Sequence, residues 1–195
     1  MAEYELTGIL GGSFNPVHMG HFMLASYLVE FTPLDSVWLM LSPLNPLKPH
    51  PEELIADMQR LRMLEIAARS NPRLSVCDIE LSMPRPSYTA DTLQVLARRY
   101  PRRRFKLVIG SDNWKIFNSW RRHEEILDNY GVIVYPRPGY DTGTIYDDRV
   151  EVVNAPMVEL SSSWVRRTLA RGKDLSFFLP PGVYDYIKAN NLYRQ

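Results

Sequence analysis

The sequence predicts an α/β fold in which a doubly wound, mainly parallel sheet of Rossmann-like type carries helices on both faces. Six apolar or β-rich runs, each a candidate strand, recur at Leu6–Leu10, Val37–Leu41, Leu74–Ile79, Phe105–Ile109, Val132–Tyr135 and Val150–Val153. Amphipathic segments lie between most of these runs, and such alternation is typical of a parallel sheet. Ligands bind such sheets at the carboxyl ends of the strands, near the point where the strand order reverses.

The helices are predicted from apolar residues that recur at helical spacing. The first helix follows the first strand and contains Leu24, Tyr27, Leu28 and Phe31. Two later stripes consist of Leu54, Met58, Leu61, Leu64 and Ala68 in one segment and of Ala90, Leu93, Ala97 and Tyr100 in the other. The chain contains no internal repeat and no convincing linker between domains.

Length and composition predict one domain, residues 1–195, with a C-terminal helical portion from about residue 161. A chain of 195 residues with 45% hydrophobic content is long enough for one well-buried domain and rather short for two. The net charge of +1 gives no general attraction to nucleic acid or to a membrane surface. Cys77 is the single cysteine, and we find neither a signal peptide nor an apolar run of the ~20 residues that span a membrane. We therefore expect a cytoplasmic protein.

The segment between the first strand and the first helix, residues 11–21, is Gly-Gly-Ser-Phe-Asn-Pro-Val-His-Met-Gly-His. A helix N-terminus presents unpaired N–H groups and binds anions, and glycine lets the backbone approach a phosphate closely. If the helix begins near Val17, His18 and His21 share one face of its first turn. The conjunction indicates phosphate binding. We predict no metal site, because no Glu, Cys or further His stands nearby to complete a ligand shell.

A second candidate anion site follows Leu160, where three serines precede an amphipathic segment. Serine is a favoured helix N-cap, and Arg166 would lie in the first turn of the helix. A guanidinium there can bind phosphate oxygens through two hydrogen bonds. The alternative interpretation is a capped surface helix with a solvated arginine.

Together these segments resemble the signatures of bacterial nicotinate-nucleotide adenylyltransferases, which are nucleotidyltransferases related to the class I tRNA synthetases. The segment 160–166, Leu-Ser-Ser-Ser-Trp-Val-Arg, is similar to the family's Ile-Ser-Ser-Thr-x-Ile-Arg, and the resemblance extends in order from Gly8 to Tyr193. The resemblance implies three catalytic residues, His18, His21 and Arg166. It also implies that ATP is bound by Gly12, Ser13, Phe14, Gly110, Asp112, Ser162 and Ser163.

Two middle segments resemble the part of the family that binds the pyridine nucleotide. Residues 87–92, Ser-Tyr-Thr-Ala-Asp-Thr, match a segment that lines its pocket, although Ser87 or Thr89 is also a candidate N-cap. Trp120 matches the tryptophan that stacks on the pyridine ring. The residues implied for nicotinate mononucleotide are Asn15, Lys48, Tyr88, Thr89, Trp120 and Arg137. Lys48 lies in the proline-rich loop 42–51, where Leu-Lys-Pro-His stands in place of the family's Pro-Pro-His-Lys, and this loop is otherwise a plain surface connection.

The implied reaction transfers AMP from ATP to nicotinate mononucleotide, with Mg²⁺ delivered on the ATP and the histidines gaining protonation beside the phosphates. Alternative acceptors are nicotinamide mononucleotide and phosphopantetheine. A non-catalytic nucleotide- or RNA-binding module is a further alternative, with the arginines of residues 98–104 as its footprint. We favour a solvated helix end for those arginines and expect no nucleic-acid partner. A dinucleotide-dependent dehydrogenase is less favoured, because no Gly-x-Gly-x-x-Gly follows the first strand.

Overall fold

The computed structural model describes residues 4–44, 54–143, 145 and 147–194. The strands are β1 (Glu5–Gly12), β2 (Ser36–Leu41), β3 (Leu74–Cys77), β4 (Arg103–Gly110), β5 (Val132–Tyr135) and β6 (Val150–Val152). The helices are α1 (Met19–Phe31), α2 (Asp57–Ala68), α3 (Thr89–Arg99), α4 (Ser111–Trp114), α5 (His123–Tyr130), α6 (Ser162–Ala170) and α7 (Val183–Ala189). None of the helices in these ranges is long and apolar enough to cross a membrane.

The strands form one sheet in the order β3-β2-β1-β4-β5-β6, and every strand pair is parallel. The strand order reverses between β1 and β4, which places the loops after these two strands at a ligand-binding edge. The predicted parallel sheet is confirmed.

Helices cover both faces of the sheet, as predicted, because successive strand residues point to opposite faces. Leu10 belongs to a buried cluster with α1, α2, α6 and α7, whereas its neighbour Ile9 belongs to a second cluster with α3 and α5. Leu39 and Trp38 on β2 divide in the same way. The sheet therefore separates two apolar layers and leaves its carboxyl edge as the place for a site.

Three boundaries differ from the sequence prediction. Gly11 and Gly12 pair with β2 as the end of β1, so the loop begins only at Ser13. Helix α1 begins at Met19, because His18 is extended and acts as the N-cap. Strand β3 ends at Cys77, and a short 3₁₀ helix, Ile79–Ser82, replaces the last predicted strand residues.

The predicted apolar stripe of α2 is also partly wrong. Met58 is 66% exposed, while the side chain of Arg60 is fully buried. The turn that carries Arg60 faces the interior because its guanidinium finds backbone carbonyl acceptors there. A charged side chain thus occupies a core position that periodicity alone assigns to methionine.

Candidate active site

Three buried polar atoms in the described ranges lack a hydrogen-bond partner, and they belong to Ser13, His18 and Trp120. The atoms are Ser13 Oγ, His18 Nδ1 and Trp120 Nε1. Ser13 and His18 follow β1, and Trp120 lies in the connection after β4, so all three belong to the edge where the strand order reverses. Buried polar groups are normally paired, so three unpaired groups at one edge of the sheet make that edge the candidate site.

The two histidines form one unit at the start of α1. Their rings are stacked, with centroids 3.7 Å apart, and the backbone N–H of His18 donates to Nδ1 of His21 at 3.3 Å. Phe14 packs its ring edge against His21 at 5.0 Å. Phe14 has a positive φ of 43°, and its ring lies 3.0 Å from where a Cβ on Gly12 would stand. Glycine at position 12 therefore lets the Phe14 ring keep this close position without a shift.

Burial, together with the positive charge of Arg137, lowers the pKa of His18 to about 4. The imidazole is therefore neutral at pH 7. Protonation of the histidines beside bound phosphates stays a prediction. Only 4% of His18 is exposed. A neutral imidazole still has one N–H donor and one acceptor nitrogen.

The two terminal signatures meet in the structure, although they lie far apart in the chain. Ser162 Oγ donates to the carbonyl of Pro16 at 2.9 Å, and Arg166 Nη1 donates to the carbonyl of Asn15 at 2.9 Å. Ser161 caps α6 by accepting from the N–H of Trp164. Arg166 thus lies at the loop that leads into the histidines.

A cavity of about 260 Å³, here the tryptophan cavity, opens beside this loop. The ends of β1 and β4 line it through Gly12 and Gly110, and Tyr88, Thr89 and Trp120 line it from the other side. The structure therefore brings three of the residues predicted to bind the pyridine nucleotide, Tyr88, Thr89 and Trp120, into one pocket.

A smaller cavity, here the histidine cavity, is lined by His18, His21, Arg137 and a segment around Pro156. Tyr135 lines both cavities, so they are neighbours. Arg137 lies in the histidine cavity and not with Tyr88 and Trp120, which differs from its predicted grouping. It is held there because its backbone N–H donates to Ser111 Oγ and its side chain reaches Asp112 at 3.9 Å.

The N-cap of α3 differs from the residues that the sequence predicts. Tyr88 is the N-cap of α3, and no side chain caps this helix. Ser87 precedes the N-cap position, and its hydroxyl donates to Glu80 Oε2 at 2.9 Å, while Thr92 donates to Glu80 Oε1 at 2.9 Å. The prediction missed Glu80, a 3% exposed carboxylate that lines the tryptophan cavity.

Asn15 is 3% exposed, and it lines neither cavity. Its Oδ1 accepts from the hydroxyl of Tyr193 at 2.8 Å, so the C-terminal segment helps to hold the loop. Arg60 donates from below to the carbonyls of Ser13, Ser42 and Ile55. Neither Tyr193 nor Arg60 carries a signal in a single sequence that would assign it to the site.

Two further predictions concern Lys48 and metal binding. Lys48 and most of its loop lie outside the described residues. No cluster of three or more His, Cys, Asp or Glu side chains suited to a metal ion occurs within the described ranges.

Comparison with known proteins identifies the family. Residues 9–168 match the model of the cytidylyltransferase-like family. A protein of Bacteroides fragilis named probable nicotinate-nucleotide adenylyltransferase is 46% identical over 182 residues, which is 93% of this chain and 90% of that protein. One of the same name from Azobacteroides pseudotrichonymphae is 43% identical over 96% of this chain and 98% of its own length.

Solved structures support the fold. The chain aligns with the nicotinic acid mononucleotide adenylyltransferase of Plasmodium falciparum complexed with NaAD, at a TM-score of 0.76 and 21% identity. The alignment covers 97% of this chain and 98% of that one. At this identity the likeness shows that both chains share the same parallel α/β architecture.

Proposed function

The chain belongs to the cytidylyltransferase-like family, and within it to the nicotinate-nucleotide adenylyltransferases, and we propose that it makes deamido-NAD. In this reaction AMP is transferred from ATP to nicotinate mononucleotide, and pyrophosphate is released. Both substrates are intracellular nucleotides, so we propose that the protein acts in the cytoplasm.

The observation that carries the proposal is the adjacency of two different cavities. The histidine cavity holds two imidazoles and a guanidinium, which suit a triphosphate. The tryptophan cavity has an aromatic wall beside the N-terminus of α3, which suits a pyridine ring with an anionic substituent. Because Tyr135 lines both, the cavities are neighbours, and we propose that an acceptor in one meets a phosphate held in the other.

In the proposed mechanism the 5′-phosphate of nicotinate mononucleotide attacks the α-phosphorus of ATP. A P–O bond forms to the acceptor phosphate while the bond to the leaving pyrophosphate breaks. The acceptor phosphate is already anionic at neutral pH, so this step needs no general base. Catalysis consists of positioning and of stabilising the negative charge that develops on the transferred and leaving groups.

His18, His21 and Arg166 are the proposed catalytic residues. The neutral imidazole of His18 would donate one hydrogen bond to a phosphate oxygen, and His21, stacked upon it, would donate another. Arg166, at the loop beside them, would bind the pyrophosphate side. On binding, Arg166 would exchange or share its present acceptor, the carbonyl of Asn15.

The remaining site residues are assigned by cavity. We propose that the ATP side comprises Gly12, Ser13, Phe14, Gly110, Asp112, Ser162 and Ser163, and that Arg137 belongs with it because it lies beside His18. We propose that the acceptor side comprises Tyr88, Thr89, Trp120 and Lys48. Asn15 would position the loop through its contacts with Arg166 and Tyr193.

Nucleotidyltransferases of this kind generally use a divalent metal ion with ATP. We propose Mg²⁺, held chiefly by the oxygens of ATP, because hard oxygen ligands and retained waters suit this ion. When bound, it would neutralise part of the charge on the phosphates.

The test is incubation of the purified protein with ATP, Mg²⁺ and nicotinate mononucleotide, followed by measurement of pyrophosphate and of the dinucleotide. We expect equal amounts of both products. Nicotinamide mononucleotide and phosphopantetheine, offered separately and in competition, test the alternative acceptors. Turnover of phosphopantetheine equal to or above that of nicotinate mononucleotide would overturn the proposal.

A further inference from the structure

Arg121 lies at the tryptophan cavity immediately after Trp120, the residue proposed to stack on the pyridine ring. Its guanidinium lies over the ring of Tyr88, with the guanidinium carbon 4.8 Å from the ring centroid. A planar guanidinium stacks well on an aromatic face, and this contact orients the group at the cavity. The cation is thereby held beside the wall that would receive the acceptor's ring.

The acidic group nearest to Arg121 neutralises little of its positive charge. Asp91 Oδ2 is 4.0 Å from Arg121 Nη1, at the limit of an ion pair. The other oxygen of Asp91 accepts a 2.6 Å hydrogen bond from Arg122, so Arg122 already balances most of that carboxylate's charge. Arg122 also pairs with Glu125.

Glu80 is the other charged residue among those described that line the cavity. Its two oxygens accept the hydroxyl hydrogens of Ser87 and Thr92. Arg121 is the positively charged side chain among the described residues that line the cavity, and it adds to the attraction of the α3 N-terminus for an anionic ligand.

We propose that Arg121 is a specificity-determining residue that favours an acceptor with a carboxylate on its pyridine ring over one with a neutral carboxamide. The inference rests on the proposed function, because it names the group that discriminates between two acceptors of the same reaction. The carboxylate gains from the cation through its charge, whereas the carboxamide gains little. Since 58% of the Arg121 side chain is exposed, solvent screens the interaction and limits its effect to about five-fold.

The experiment measures kcat/KM for nicotinate mononucleotide and for nicotinamide mononucleotide with the wild type, Arg121→Gln and Arg121→Lys. Glutamine removes the charge and keeps a planar end group, whereas lysine keeps the charge. Arg69→Gln, an exposed arginine at the end of α2 outside the cavity, controls for a general loss of positive charge. Where carboxamide turnover is slow, quenching of tryptophan fluorescence gives the Kd of both nucleotides and hence the same ratio.

We expect Arg121→Gln to lower the carboxylate-to-carboxamide ratio about five-fold, through the carboxylate substrate alone. Arg121→Lys should keep the ratio within about two-fold of the wild type, and Arg69→Gln should leave it unchanged. An unchanged ratio in Arg121→Gln, or an equal loss with both acceptors, would overturn the inference while leaving the proposed function intact. A wild type that makes no dinucleotide from nicotinate mononucleotide would instead overturn the proposed function, and the inference with it.

Discussion

The amino ends of the strands form one edge of the sheet, here the amino edge, and their carboxyl ends form the other, the carboxyl edge. Polar residues are paired within the protein at the amino edge and partly unpaired at the carboxyl edge. At the amino edge, Arg103 donates to the hydroxyls of Thr7 and Ser36 and pairs with Glu5 at 2.6 Å. Its guanidinium also lies 5.1 Å from the centre of the Trp38 ring. At the carboxyl edge, buried atoms of Ser13, His18 and Trp120 have no partner.

The difference separates groups that are paired within the fold from unpaired groups, which we propose contribute to the substrate site. A polar group whose partners are all supplied by the protein contributes to folding, whereas a buried group without a partner costs free energy until a ligand binds. Substitutions at the amino edge should therefore change stability, and substitutions at the carboxyl edge should change catalysis.

The largest expected effect is on catalysis at the carboxyl edge. Arg166→Ala should lower kcat/KM for ATP by about 10²- to 10³-fold, because it removes a donor to charge that develops in the transition state. Arg167→Ala is the matched control, since Arg167 is the exposed neighbour on the same helix. Steady-state pyrophosphate release measures both variants. Equal rates for the two would show that Arg166 has no special part in the reaction.

The next largest expected effect is a pH dependence of the unfolding free energy, which arises from the titration of His18. Its pKa in the folded state is about 4, below the usual 6.5, so its contribution is fully present above pH 6.5 and is lost as the pH falls towards 4. Between these limits the wild type should lose about 3 kcal/mol more unfolding free energy than His18→Asn, which has no titrating group there. Urea unfolding of both proteins at pH 7 and pH 4 measures this difference. Parallel losses would contradict the burial of a neutral His18.

Substitution of Arg103 at the amino edge should lower stability and leave the rate nearly unchanged, which is the reverse of the effect expected for Arg166. Arg103→Met should lower the unfolding free energy by about 1–2 kcal/mol, because Thr7 and Ser36 each lose a donor. The rate of pyrophosphate release at 25 °C should stay within about two-fold of the wild type, since the residue lies at the far edge of the sheet. Chemical denaturation together with the rate assay tests both parts. A large loss of rate in a fully folded variant would break the division between the edges.

The smallest expected effect concerns the indole of Trp120. Trp120→Phe keeps an aromatic face but loses the unpartnered Nε1–H, so the KM for the acceptor should rise about five-fold, the value of one hydrogen bond. Trp114→Phe is the control, because Trp114 stacks on Phe117 and lines neither cavity. A similar rise in both variants would attribute the effect to packing.

Much of the fold follows from the sequence, because strand and helix periodicities are strong and local. The parallel direction of the strands could be predicted from the alternation of elements. The contacts of Ser162 and Arg166 with the first loop are the long-range feature that the resemblance implied and the structure confirms. The extent of the domain, residues 1–195, stays a prediction.

Two of the missed features share a physical cause, which is that their partners are distant in the chain. In the sequence, Arg60 is one charged residue of an amphipathic helix. Its carbonyl acceptors lie in loops that approach it only when the chain folds. The same holds for Tyr193, which contacts Asn15 across 178 positions. Glu80 differs, because its hydroxyl donors Ser87 and Thr92 are only 7 and 12 positions away, and a single charged residue gives no sign of such a pairing. Arg137 lines the histidine cavity, and a role of Arg137 in binding nicotinate mononucleotide stays a prediction.

The most direct test of the shared triphosphate site is a double-mutant cycle on kcat/KM for ATP with His21→Ala, Arg166→Ala and the double variant. Residues that stabilise one set of phosphates as a unit lose their effect together, so the double variant should be little slower than the slower single variant. A double variant whose loss equals the product of the two single losses would mean that His21 and Arg166 act independently, and it would contradict a single site built from the two ends of the chain.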